Sequence, residues 1–247
     1  MKHTINNCFI NSVIKKDLFK SSLKKINFIV DQIKKSKDPL LLSFLNQFNN
    51  YQKKEIEKLA LYYKKNFKNI IVLGTGGSSK AGRTFVQIAY RTFGRNPKFP
   101  KINFLENIDF QDFNDLFKKI NLRKTGIIVI SKSGETNETL VQFLIFLSKY
   151  KQSFQKKKIH KHFTVVTKKG SSALRNLAND FSIEVIDLDN NLSGRFSAFS
   201  PVGLLPAAIA GLNINKITEG ALSLLKKFLK KQQRIPSEGA ALHYVAQ

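Results

Sequence analysis

From about residue 68 onward, short apolar runs alternate with longer stretches whose apolar positions recur at helical spacing. Five of the runs have the length and composition of buried strands: 70–73 (IIVL), 102–105 (INFL), 126–130 (GIIVI), 163–166 (FTVV) and 183–186 (IEVI). The stretches between them predict helices over 80–92, about 110–120, 136–149 and 172–179. Residues 1–65 show helical spacing alone, as in Leu40, Leu41, Phe44, Leu45 and Phe48. Short strands separated by helix-length segments imply a parallel sheet covered on both faces. The predicted fold class is therefore α/β, a doubly wound parallel sheet over 66–215. A helical segment, 1–65, precedes it, and a helical linker, 216–247, leads from it toward a second domain. The last residues, 239–247, keep helical spacing and stop without a C-cap, which predicts a chain cut in mid-element.

Composition narrows the class. The nearly apolar run 202–212 is too short to span a membrane and is interrupted by Pro206, and residues 1–20 lack the apolar core of a secretory signal. One cysteine, Cys8, excludes an internal disulfide and fits a reducing, cytoplasmic setting. The net charge of +25 invites a nucleic-acid reading. Lysine is scattered, however, among abundant Asn, Ile and Phe, the joint bias that an AT-rich genome produces, and no recognised nucleic-acid motif accompanies it. The expected partner is a small anionic metabolite, with no membrane, nucleic acid, metal or cofactor.

Chemistry concentrates in three segments. In doubly wound sheets, ligands bind at the carboxyl ends of strands where the winding reverses. Two strand ends carry ligand-type loops: Gly74-Thr75-Gly76-Gly77-Ser78-Ser79 and the segment 131–139 (SKSGETNET). The first opens like a dinucleotide fingerprint, but its sixth position is Ser79 rather than Gly. Glu106 could imitate a ribose-binding acid, so a nucleotide site stays open on the glycines alone. In the second loop, Ser131, Ser133 and Thr136 can donate hydroxyls beside Lys132. Helix capping by Ser133 or Thr136, with Glu138 in the first turn, accounts for one hydroxyl but not for three next to a lysine. Backbone N–H groups and the helix dipole make such a terminus a phosphate site. In the third segment, Arg195 follows Gly194 and precedes an apolar stretch. It either pairs with Asp189 or stabilises negative charge developing on a substrate.

Taken in order, GTGGSS, SKSGETNET, SGRFSAFSPVGLLP and AAIAGLNI resemble the glucose-6-phosphate isomerase family, particularly its shorter bacterial forms, over about 68–215. The resemblance implies an aldose–ketose interconversion of glucose 6-phosphate and fructose 6-phosphate through an enediolate. It implies that Ser78, Ser131, Ser133 and Thr136 hold the phosphate, with Lys132 beside them. Gly76, Gly77 and Gly194 would admit the sugar, Glu138 would lie near the site, and Arg195 would stabilise the enediolate. It also implies a homodimer for the full-length protein. Ser193 stands where the family has Gly, and Gly134 and Glu135 replace bulkier or hydroxyl residues of the longer forms. The family's proton-transferring Glu, ring-opening His and C-terminal Lys have no counterpart in residues 1–247, so no general base is assigned. His160, His162 and His243 lie outside any such context. The alternative is a non-catalytic sugar-phosphate sensor, which would use the same pocket without acid–base groups.

Overall fold

Strands buried on both faces leave no polar side for water, and all five predicted runs join one parallel sheet. The computed structural model describes residues 5, 8–9, 14–48, 50–90, 94, 96–154, 156–230 and 235–246. The strands are β1 (Asn69–Leu73), β2 (Lys101–Leu105), β3 (Thr125–Ile130), β4 (Phe163–Lys168) and β5 (Glu184–Leu188). Their order is β2-β1-β3-β4-β5, every neighbouring pair parallel. Winding thus reverses between β1 and β3, and both strands are buried over nearly their whole length.

The helices are α1 (Lys16–Lys35), α2 (Pro39–Asn46), α3 (Asn50–Asn66), α4 (Gly77–Tyr90), α5 (Phe110–Lys119), α6 (Asn137–Ser153), α7 (Ala173–Asp180), α8 (Pro201–Ile209), α9 (Ile214–Leu229) and α10 (Ile235–Val245). Alternate strand residues face opposite ways. Ile71, Leu73, Ile127, Val129, Phe163 and Val165 enter a core with side chains of α5, α6 and α7, Phe113, Phe143, Phe146 and Leu174 among them. On the other face α3 and α4 both pack against α8. The Tyr63 hydroxyl of α3 bridges Ile127 O (3.0 Å) and Thr164 Oγ1 (2.9 Å), and burial pushes its pKa up. Gly126 makes that approach possible, because a Cβ there would stand 2.6 Å from the Tyr63 ring and 2.7 Å from Phe67.

Two compact units result. One is Leu42–Asn215, so α3 shares a unit with the sheet that it covers, and the helical stretch 1–65 divides between units. The other combines 1–41 with 216–247. In it α1 packs on α10, with Val30 and Ala241 buried. Pro206 does not end the apolar helix as its sequence position suggests. It lies inside α8, with Val202 O and the proline ring both within about contact distance of Gly82 on α4, 3.1 and 3.0 Å from where a Cβ would sit. The carbonyl that loses its N–H donor to proline is thus covered by a close-packed helix. Among the described residues no helix is long and apolar enough to cross a membrane.

His162 is structural. Its Nδ1–H donates to Thr125 O (3.0 Å), and its ring lies among Phe67, Tyr150 and Phe154 at centroid distances of 5.3, 5.1 and 4.8 Å. Burial holds its pKa below the usual 6.5, against a smaller opposing effect of the Thr125 bond. On acidification the unfolded chain therefore takes up this proton first. The stability contributed by neutral His162 is complete above pH 6.5 and is lost as the pH falls below that value. Urea midpoints measured across this window should fall toward acid in the parent chain and fall less in His162→Phe. A separate substitution, Gly126→Ala, should cost about 1–3 kcal/mol in the same urea titration, because Tyr63 and Phe67 must shift to accept the methyl group.

Candidate functional site

The reversal of winding brings two loops together. Leu73 pairs with Val129, so the segments following β1 and β3 leave the sheet side by side. The first loop enters α4 directly: Ser78 N–H donates to Thr75 O (3.1 Å) and Lys80 N–H to Gly76 O (3.0 Å). Gly76 holds a φ of +55°, which favours glycine. Gly77 lies against the Arg195 segment so closely that a Cβ would stand 2.8 Å from the Gly194 carbonyl carbon and oxygen. All three segments are brought together, and Ser78, Lys132 and Gly194 line one small cleft with Leu188, Leu192, Ser197 and Val202.

In the second loop the hydroxyls face one another. Ser131 Oγ lies 3.0 Å from Thr136 Oγ1, and Ser133 Oγ lies 3.4 Å from that same atom. Ser131 is buried, and its Oγ also accepts from Gly134 N (3.1 Å), while Ser133 Oγ accepts from Glu135 N (3.2 Å). Thr136 occupies the N-cap position of α6, yet its side chain makes no capping hydrogen bond. Capping thus does not consume the hydroxyl cluster, and the first turn of α6 keeps its donors for an anion. Lys132 is half-buried, and its carbonyl accepts from Lys168 N (3.1 Å) and Thr167 Oγ1 (3.3 Å). Glu138 is exposed in the first turn of α6.

Arg195 is exposed on a 3₁₀ turn, Gly194–Phe196, beside the cleft. Ser197 Oγ donates to Gly194 O (2.8 Å) and Ser200 Oγ to Ser197 O (2.7 Å), chaining the turn to the capped start of α8. Asp189, the alternative partner for Arg195, instead accepts from Ser43 Oγ (2.8 Å) and Asn191 N (2.9 Å). Glu106 is likewise occupied: it accepts from Ser79 Oγ (2.5 Å) and pairs with Arg83 at 3.5 Å, fastening α4 to the end of β2. That use removes the acid on which a ribose site would depend. A wider cleft opens near the end of β5, lined in part by Asp187 and Asp189. Asp187 is paired there with Arg175 at 2.6 Å.

Two supporting residues escape a reading of the sequence. Gln142 is fully buried and donates from Nε2 to Leu105 O (3.3 Å) and Asn107 O (2.9 Å). Leu105 O also accepts from Gly74 N (3.3 Å), so one carbonyl ties α6 to the first loop. The available signal was a polar residue within the apolar run 140–147. Glu135 accepts from Ala173 N (2.9 Å) at the start of α7, next to a bond from Leu174 N to Gly134 O (3.0 Å). The hydroxyl loop is thereby clamped to a second helix.

The family model described as phosphoglucose isomerase matches residues 40–244. A glucose-6-phosphate isomerase of Carboxydothermus hydrogenoformans is 38% identical over 180 residues, which are 70% of this chain and 38% of that protein. A probable glucose-6-phosphate isomerase of Methanococcus maripaludis is 34% identical over 66% of this chain and 36% of its own length. The chain thus spans well under half the length of these relatives. Among solved structures, a glucose-6-phosphate isomerase from Chlamydia trachomatis superposes with a TM-score of 0.66 at 25% identity, covering 78% of this chain and 37% of that one. A hypothetical protein from Thermus thermophilus shares the fold with a TM-score of 0.74 at 24% identity, over 93% and 55% of the two chains.

Replacing Glu135 by Ala should leave the first amide of α7 unpaired, costing about 1 kcal/mol, the usual value of a lost helix-terminal acceptor. Hydrogen exchange should accelerate at 131–136 and at the start of α7 while the amides of β3 stay protected. Unchanged exchange in the loop would remove Glu135 from its role as a clamp.

Proposed function

We propose, because this chain belongs to the phosphoglucose isomerase family, that it carries the phosphate-holding and charge-stabilising part of a glucose-6-phosphate isomerase site. The observation that carries this reading is the convergence of the three segments, Gly77 against Gly194 and Lys132 in one cleft with Ser78 and Gly194, beside a hydroxyl cluster that is not spent on capping. In this reading the phosphate of glucose 6-phosphate or fructose 6-phosphate lies at the first turns of α4 and α6. Ser78, Ser133 and Thr136 donate hydroxyl bonds to it, Ser131 holds Thr136 in place, and Lys132 adds a positive charge. Gly76 keeps a side chain out of the path of the sugar, Gly77 and Gly194 let the first loop close on the Arg195 segment, and Glu138 stands at the rim.

Arg195 is assigned the charge that develops at the reacting carbons. As the C2 proton leaves, negative charge accumulates on the enediolate oxygens, and a guanidinium fixed beside them stabilises that state more than the ground state. None of the described residues is assigned as the base that removes the proton. We read 216–247 as a linker toward a second α/β domain that supplies it, in a cytoplasmic homodimer. The sensor alternative shares the phosphate contacts but gives Arg195 no role beyond binding.

The 247-residue chain should bind glucose 6-phosphate and not glucose in calorimetry, and should show no isomerase turnover. Ser133→Ala with Thr136→Ala should weaken that binding about 100-fold or more, since each hydrogen bond to a charged group contributes roughly 1.5–3 kcal/mol. Arg195→Ala should weaken a hydroxamate analogue of the enediolate far more than it weakens the substrate. Equal losses would favour the sensor, and robust turnover by this chain would overturn the assignment of the missing base.

A further inference from the structure

The opposite pole of the sheet, where its strands begin, carries a second concavity with a different character. Its lining includes Lys64, Lys65, Lys68, Lys98, Lys101 and Lys124, and no Asp or Glu among the described residues lines it. The sheet gathers these lysines. Asn69 pairs with both Lys101 and Thr125, so Lys101 opens β2 while Lys68 and Lys124 immediately precede β1 and β3, with about 4.8 Å between the backbones of neighbouring strands. Backbone bonds of 2.8 Å from Lys68 N to Lys124 O and from Lys101 N to Lys68 O fix that spacing. Lys64 Nζ sits 4.9 Å from the centroid of the Phe99 ring, which holds it in the groove wall.

Genome bias accounts for a large number of lysines but not for their placement, since six of the twelve residues lining this groove are lysine. Lys64 and Lys65 lie in the last turn of α3 and Lys124 in that of a 3₁₀ turn, 122–124, where a cation is favoured. The groove thus presents several cationic side chains along neighbouring strand ends, and an anionic chain that spans them meets more than one at a time. A single phosphate is too small to meet charges spread over about 10 Å of sheet edge. Lysines are compact charges on flexible stems and suit a flexible chain of phosphates better than a fixed bidentate group. Pro97 adds an exposed apolar edge to the groove, while the Phe99 ring is engaged by Lys64 and Pro100 is buried.

We propose that this groove binds the phosphate backbone of single-stranded nucleic acid. The site is distinct from the hydroxyl loops, so it stands whether or not the isomerase reading holds. The probe is a fluorescein-labelled oligo-dT titrated with the full chain at about 100 mM salt and followed by anisotropy. Lys68→Gln with Lys124→Gln should weaken binding about 10-fold and lower the slope of log K against log salt by about 1.4, the value for two lost phosphate contacts on a single strand. The control is Lys24→Gln with Lys25→Gln, an exposed pair on α1 whose replacement changes net charge equally and should weaken binding less than about twofold. Equal losses in the two pairs would show that overall charge alone attracts the oligonucleotide and would overturn the proposal. So would displacement by glucose 6-phosphate, absence of saturable binding, or phosphatidylserine vesicles competing through the same lysines. Thermal melts check that the variants fold, and Lys98→Gln with Lys101→Gln repeats the test from the same groove if the first pair does not.

Discussion

The pairing of β1 with β3 is the constraint on which the rest of the molecule depends. β1 lies between β2 and β3, so the chain leaves its first strand, adds a neighbour on one side, and returns to add the third on the other. Both central strands are apolar and buried on both faces, so a slip of one residue would exchange the side chains that meet the two helical layers and move Gly126 from beneath Tyr63. Register is therefore fixed by burial, and the loops that follow these strands emerge as neighbours. Local bonds then refine the arrangement. Leu105 O holds both Gly74 and Gln142, Glu106 holds Ser79, and Glu135 reaches α7.

The sheet was legible because parallel strands covered on both faces read as short, continuous β-branched runs. All five appear within a residue or two of their expected limits, and the hydroxyl and glycine loops fall at the strand ends where reasoning from the winding put them. What escaped depends on partners distant in sequence. Pro206 reads locally as a helix stop, yet it is tolerated because α4 packs over the freed carbonyl. Gln142 reads as an interruption of an apolar face, and only the end of β2 gives it a purpose. Glu135 reads as a surface charge until α7 supplies an amide. The open choice between an Arg195–Asp189 pair and a free guanidinium likewise turned on Ser43, which lies 146 residues away from Asp189.

The two ends of the sheet differ in the groups that they present. At the carboxyl end, Ser78, Ser197, Lys132 and Gly194 line a compact space with Leu188, Leu192 and Val202, and Arg195 is exposed on the adjoining 3₁₀ turn. Hydroxyl and guanidinium donors are directional and discriminate by geometry. At the amino end, flexible ammonium groups crowd an open groove without rigid donors. The high net charge of the chain is thus unevenly expressed: the loops with the most specific chemistry carry comparatively little of it.

The buried phenols have a practical consequence. The chain contains no tryptophan and six tyrosines, so its near-ultraviolet spectrum belongs to tyrosine. Tyr63 and Tyr150 are enclosed on opposite faces of the sheet, each hydroxyl bonded to main-chain carbonyls, and burial pushes both pKa values up. Both therefore ionise at a higher pH than an exposed phenol while the sheet stays covered. Alkaline difference spectra would therefore separate the accessible phenols from these two, and the late appearance of their ionised signal would mark the loss of each face without any introduced label.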